Sequence, residues 1–181
     1  MTVTPYLMIM EFWRGAGPER WFARDAGLDL EIRERFLGEH EAAARGQHDD
    51  WAQTAAGALA LVILLDQFPR NMFRDSPHAF ATDPLARLHA DAALARNYDQ
   101  ETDARMRAFF YLPFMHSEDL ADQERSLRLY EALGDAEQLR YAALHRDIIL
   151  RFGHFPHRNR ALGRRTSEAE QAFLDGGGFA G

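Results

Sequence analysis

Residues 55–65 are apolar without interruption, and the chain then changes character abruptly to Asp66, Gln67, Phe68, Pro69, Arg70 and Asn71. A helix that is apolar on every side has no solvent face and belongs at the centre of a fold. A bilayer span needs about 20 apolar residues, so this run reads as a buried core helix instead. We expect a central helix over about 50–66, capped by Asp49 or Asp50. Its far end delivers an acid, an amide and an arginine out of the core.

The flanking sequence carries helical punctuation throughout. Residues 6–13 read as a short amphipathic helix, Trp21 and Phe22 as an aromatic anchor, and Gly27 as the end of that piece. Ile32, Phe36, Leu37 and His40 share one face of a helix over 29–45 that stops at Gly46. Asp83 before Pro84 marks an N-cap and first turn, and that helix ends near Asn97. The next helix, over 102–112, should stop before Pro113, because the residue preceding a proline avoids the helical region. Ser117 is expected to cap a helix ended by Gly134, and Gly153 to close another over 136–152. Ser167 and Glu170 have capping-box spacing. No alternating strand pattern or hairpin signal is present. The expected fold is all-α, with short connections that favour stacked antiparallel helical hairpins. A chain of 181 residues fits a single domain over 1–181, with a flexible tail over about 175–181.

Charge and missing residue types exclude several functions. The net charge of −7 and absence of a basic stripe disfavour nucleic-acid binding. Without cysteine there are no disulfides, thiolate metal sites or cysteine nucleophile. Every basic residue other than histidine is Arg, so lysine Schiff-base and general-base chemistry are absent. The N-terminus has no positive start and Glu11 interrupts its apolar run. We therefore expect no leader, no membrane association and a cytoplasmic protein.

Three segments join a proline or capped boundary to polar residues: 66–71, 113–118 and 152–159, with Arg164 following the last. The first and third echo each other, Phe-Pro-Arg-Asn against Phe-Pro-His-Arg-Asn. Asp66 lies one turn beyond Val62 and Ile63, so its carboxylate emerges at the edge of the core. A buried acid is more often paired, so a structural ion pair with an Arg or a cap on the 68–71 turn is favoured over a general base or metal ligand. Arg70 and Arg158 offer forks suited to a carboxylate or phosphate, or plain solvated charge. His145 lies on an apolar helical face, where a histidine is more often a satisfied core residue than a catalyst. His116, His145, His154 and His157 match no known metal-ligand spacing, and we expect no metal site. Nor is there a Gly-rich phosphate loop or a nucleophile elbow, so no particular cofactor is indicated.

Taken together, LVILLDQFPRNMFR, FFYLPFMHSEDLADQ and HRDIILRFGHFPHRNRALGR resemble the hallmark segments of DUF924, a family of uncharacterised bacterial proteins. The pieces EFW, RWF and LDLEIRERF fit the same pattern, so the resemblance spans nearly the whole chain. It implies a tetratricopeptide-like helical fold and no established activity, substrate or cofactor. The family motifs fall on residues 66–71, on 116–118, and on His145 with 155–159, while His154 stands where the family pattern often carries Arg.

Three functional readings follow. One is a polar pocket of Asp66, Arg70, Asn71, His116, Glu118, His145, His157, Arg158 and Asn159. It would bind a small anionic ligand or a peptide carboxylate. Another is a hydrolase-like enzyme with His145 or His116 as acid/base and Asp66 or Glu118 orienting it. In the last, the polar segments only satisfy helix ends and the chain is a scaffold for a protein partner. The sequence leaves the oligomeric state open.

Overall fold

The apolar run does form the buried centre, but as three joined pieces. Residues 57–69 are buried without exception. The computed structural model describes residues 4–179; residues 1–3 of the expected leaderless N-terminus and 180–181 of the expected flexible tail lie outside them. Its α-helices are α1 (Pro5–Ala16), α2 (Pro18–Trp21), α3 (Ala26–Ala44), α4 (Ala55–Val62), α5 (Phe68–Met72) and α6 (Asp83–Ala95). They continue with α7 (Ala104–Met115), α8 (Leu120–Leu133), α9 (Ala136–Phe152) and α10 (Glu168–Asp175). The fold is all-α, with no strand among the described residues. None of the helices there is long and apolar enough to cross a membrane.

The central helix begins at Ala55, where the apolar run begins and later than a cap at Asp49 or Asp50 would set it, and Thr54 caps it by accepting a hydrogen bond from Gly57 N at 3.1 Å. Asp49 and Asp50 instead open a separate 3₁₀ turn, Asp49–Gln53, that folds over the start of α4. Gly57 permits this approach: a Cβ there would stand 2.2 Å from the Trp51 carbonyl oxygen.

Between α4 and α5 the chain makes a π-helical turn, Ile63–Gln67, closed by Phe68 N donating to Ile63 O. Pro69 explains the irregularity. It has no N–H, so one carbonyl of the preceding turn loses its helical donor. Side chains from elsewhere reach the carbonyls of this turn: His40 Nδ1 donates to Leu64 O at 3.0 Å and Thr82 Oγ1 to Leu65 O at 2.6 Å. Arg70 Nη1 donates to Asp66 O at 2.7 Å. The first of these fixes the His40 tautomer, since a carbonyl can only accept.

The chain groups into two compact units, Met1–Arg74 with His78–Pro113, and Asp75–Pro77 with Phe114–Gly181. In the first, α1, α3 and α6 pack around α4, the π turn and α5. Phe68 meets Trp13 edge-on at 5.5 Å and Phe36 at 5.1 Å, and Trp21 meets Phe109 at 4.9 Å. Truncating a fully buried ring such as Phe68 costs on the order of 3–5 kcal/mol. In the second, α8 and α9 form a hairpin joined through Gly134 and Asp135. Gly134 and Gly153 both take the left-handed conformation that ends a helix, at φ 76° and 74°, as their spacing predicts.

Several helix boundaries differ from the sequence pattern. Asp25 caps α3, accepting from Gly27 and Leu28 N, so Gly27 lies inside its first turn. Thr82 occupies the cap position of α6 and Asp83 its first turn, leaving that carboxylate for another partner. Asp119 caps α8, while Ser117 Oγ accepts from Asp119 N. Helix α7 runs through Pro113 to Met115. Residues 109–115 are all buried, and this packing offsets the one bond that a proline in the last turn removes.

Candidate functional site

The expected site residues divide between the two units. Asp66, Arg70 and Asn71 belong to the first; His116, Glu118, His145, His157, Arg158 and Asn159 belong to the second.

In the first unit the π turn aims Asp66 into the protein, where it is fully buried. Gln67 Nε2 donates to its Oδ2 at 2.5 Å, and Arg70 Nη1 lies 3.3 Å from its Oδ1. Arg70 also grips Asp83 with both prongs, Nη1 to Oδ1 at 2.8 Å and Nη2 to Oδ2 at 2.9 Å. Its guanidinium stands over Phe80 at 5.5 Å. Burial pushes the Arg70 pKa down, but the two carboxylates outweigh it and hold the group firmly charged. A bidentate Arg–carboxylate pair is among the stronger hydrogen-bonded contacts in proteins. Asn71 turns the other way: its Nδ2 donates to Asp29 Oδ1 at 2.8 Å. Arg74 closes on the same carboxylate through Nε at 2.5 Å and Nη2 at 2.9 Å.

In the second unit the loop after α9 folds around Glu118. Its carboxylate accepts Phe155 N at 2.9 Å and both prongs of Arg164 at 2.8 and 2.9 Å. Burial would raise the Glu118 pKa; the Arg164 hydrogen bonds, the Phe155 amide and nearby Arg158 together hold it below its usual value. Arg158 is buried, donates from Nη2 to His116 O at 2.9 Å and lies over the Phe155 ring at 4.6 Å. Asn159, also buried, donates from Nδ2 to Thr166 Oγ1 at 3.4 Å. His154 contacts Glu170, whose pKa is lowered to about 2, chiefly by the Ser167 backbone N–H. The capping box of Ser167 and Glu170 is present.

His145 accompanies the aromatic core. Its Nδ1 donates to Tyr141 O at 2.8 Å, and its ring lies 5.4 Å from Phe155 and 6.5 Å from His116. Among the described residues, no three acidic or histidine side chains form a group that could hold a metal ion.

Sequence reasoning missed the partners rather than the motif residues. Asp83 reads as a cap because it precedes proline, and Asp29 as one more first-turn acid. Thr82 and His40 carry no signal that they complete a π turn, because pairing across 17 or 24 positions leaves no local spacing.

A family model described as bacterial protein of unknown function (DUF924) matches residues 9–178. A solved structure, that of the protein of unknown function ATU0120 from Agrobacterium tumefaciens, is 48% identical to this chain with a TM-score of 0.92. The match covers 95% of this chain and 97% of that one. No curated protein matches the chain.

Proposed function

From the premise that this chain belongs to the bacterial family of unknown function DUF924, we propose that it is a cytoplasmic scaffold of tetratricopeptide-like hairpins. Its polar motifs hold helix ends together, and its outer surface docks a segment of another protein. The observation that carries this is the Arg70 fork, closed on Asp83 at 2.8 and 2.9 Å with Asp66 beside it. An anionic ligand would first have to break that pair, and the same applies to Arg164 on Glu118. The hydrolytic reading has Asp66 or Glu118 orienting His116 or His145, whereas the Glu118 carboxylate is held by Arg164 and the Phe155 amide and that of Asp66 lies against Gln67 and Arg70.

A cleft in the first unit supports the docking part of this reading. Phe12, Gly15, Ala16, Arg20, Leu28 and Glu31 line this cleft of about 240 Å³. Small-molecule sites occupy roughly 300–1,000 Å³, so this cleft suits an apolar side chain of a peptide. Its two charged residues are already paired, Arg20 with Asp25 at 2.8 Å and Glu31 with Arg35 at 2.9 Å.

Panning a random peptide library on the wild-type protein and on Ala16→Trp tests the reading. Peptides sharing an apolar anchor should be enriched on the wild type and lost on the filled cleft, with thermal midpoints alike. Equal enrichment on both proteins, or none on either, contradicts it.

A further inference from the structure

Residues 151–165 hold five arginines, two histidines and no acid, in a chain whose net charge is −7. Three of the five arginines are committed within the second unit. Arg151 lies over the Phe152 and Phe173 rings at 4.7 and 5.6 Å, Arg158 donates to His116 O, and Arg164 forks onto Glu118. Two acids reach this segment from outside it. Glu118 is taken up by Arg164 and the Phe155 amide, and Glu170 by His154 and the Ser167 amide. Arg160 and Arg165 stay exposed, and neither pairs with an acid among the described residues, Glu168 three positions after Arg165 included. Other exposed arginines do pair, as Arg14 with Asp103 and Arg35 with Glu31. The turn that carries Arg160 is anchored from behind. Leu162 N donates to Arg158 O at 2.9 Å, Gly163 N to Arg160 O at 3.4 Å and Arg164 N to Asn159 O at 2.8 Å, with Gly163 at φ +65°. Arg158 and Asn159 are buried, while Leu162, between the two free-standing arginines in sequence, is 38% exposed.

We propose that Arg160, Leu162 and Arg165 form a docking edge for a short acidic segment of a partner protein, its carboxylates on the two guanidiniums and an apolar side chain against Leu162. Planar guanidinium forks suit carboxylates, and unlike Arg70 and Arg164 these two need break no ion pair to accept one. The turn is already folded, so little ordering on its side opposes binding. Charge range favours a short segment over a larger polyanion. At about 0.15 M salt, charges act over about 8 Å, so a peptide meets chiefly the local arginines. A membrane surface or a nucleic acid extends beyond that range and meets the acidic remainder of the chain. The edge shares no residue with the cleft in the first unit, so either can fail without the other.

The test titrates isotope-labelled protein with the end-capped peptide Asp-Glu-Leu-Asp-Glu, and with Asn-Gln-Leu-Asn-Gln as neutral control, read by NMR. At low salt the acidic peptide should move the Leu162 and Gly163 amide signals saturably, and the neutral one should not. Raising the salt to about 0.3 M should weaken binding severalfold, because the charges are exposed. Arg160→Ala combined with Arg165→Ala should bind about fivefold more weakly. Arg105→Ala combined with Arg128→Ala removes two exposed arginines from elsewhere and should bind as the wild type does. Signals that the acidic peptide leaves unmoved, equal loss in the two double variants, or equal response to the two peptides overturns the proposal. So does tighter binding to phosphatidylserine vesicles or single-stranded DNA that depends on Arg160 and Arg165, which would assign the turn to a polyanion instead.

Discussion

Arg70 and Thr82 show how side chains far apart in sequence complete one backbone irregularity. Buried Thr82 supplies a donor, its Oγ1, to Leu65 O within the buried run 57–69. Thr82→Val keeps the shape and removes the donor, and an orphaned buried acceptor costs about 1–3 kcal/mol. Urea unfolding should show a loss in that range; an unchanged midpoint would mean that Leu65 O is satisfied otherwise. The motif residues themselves were legible. Asp66 and Arg70 stand out because an apolar helix ends in them, and Phe155 because it precedes the second proline turn. Their partners were hidden, since Asp83 and Asp29 look locally like ordinary helix-start acids.

At the level of helices, hydrophobic period and glycine stops located most elements, while their first turns were less readable. Asp, Ser and Thr crowd these starts, as at 49–54 and 117–119, and which one caps depends on tertiary approach. Gly57 illustrates this. In an open helix, replacing Gly by Ala is favourable by roughly 0.5–1 kcal/mol. Here the new Cβ would lie 2.2 Å from the Trp51 carbonyl oxygen, a backbone atom. Gly57→Ala should therefore lower the thermal midpoint, on the order of 1–3 kcal/mol in stability, as overpacking does. A raised midpoint would show that the Asp49–Gln53 turn does not press on α4.

Over the full chain, the two units should answer acid differently. His40 and His89 in the first unit are both pushed below 6.5 by burial, with contacts to Leu64 O and Asp49 offsetting part of it. An unfolded histidine takes up a proton near 6.5 more readily than these do. Their contribution is therefore full above that pH and is lost as pH falls toward the folded value. In the second unit, Glu118 and Glu170 are held below 4.5, Glu170 at about 2. Their contribution is full above 4.5 and disappears only as pH falls through the folded values. All three tryptophans, Trp13, Trp21 and Trp51, lie in the first unit. Tryptophan fluorescence should thus begin to change as pH falls below 6.5, before the α10 amide signals shift; the reverse order would contradict these assignments.

Whether the motif arginines are structural staples is decided by a double-mutant cycle on Arg70 and Asp83, read by urea unfolding. Each single alanine variant should cost about 3–5 kcal/mol, because it leaves one charge buried without its main partner. The double variant should cost less than the sum, with a coupling of about 1–3 kcal/mol. Additive effects within about 0.5 kcal/mol, or a stable Arg70→Ala protein that has lost a bound anion, would show that the fork serves a ligand instead.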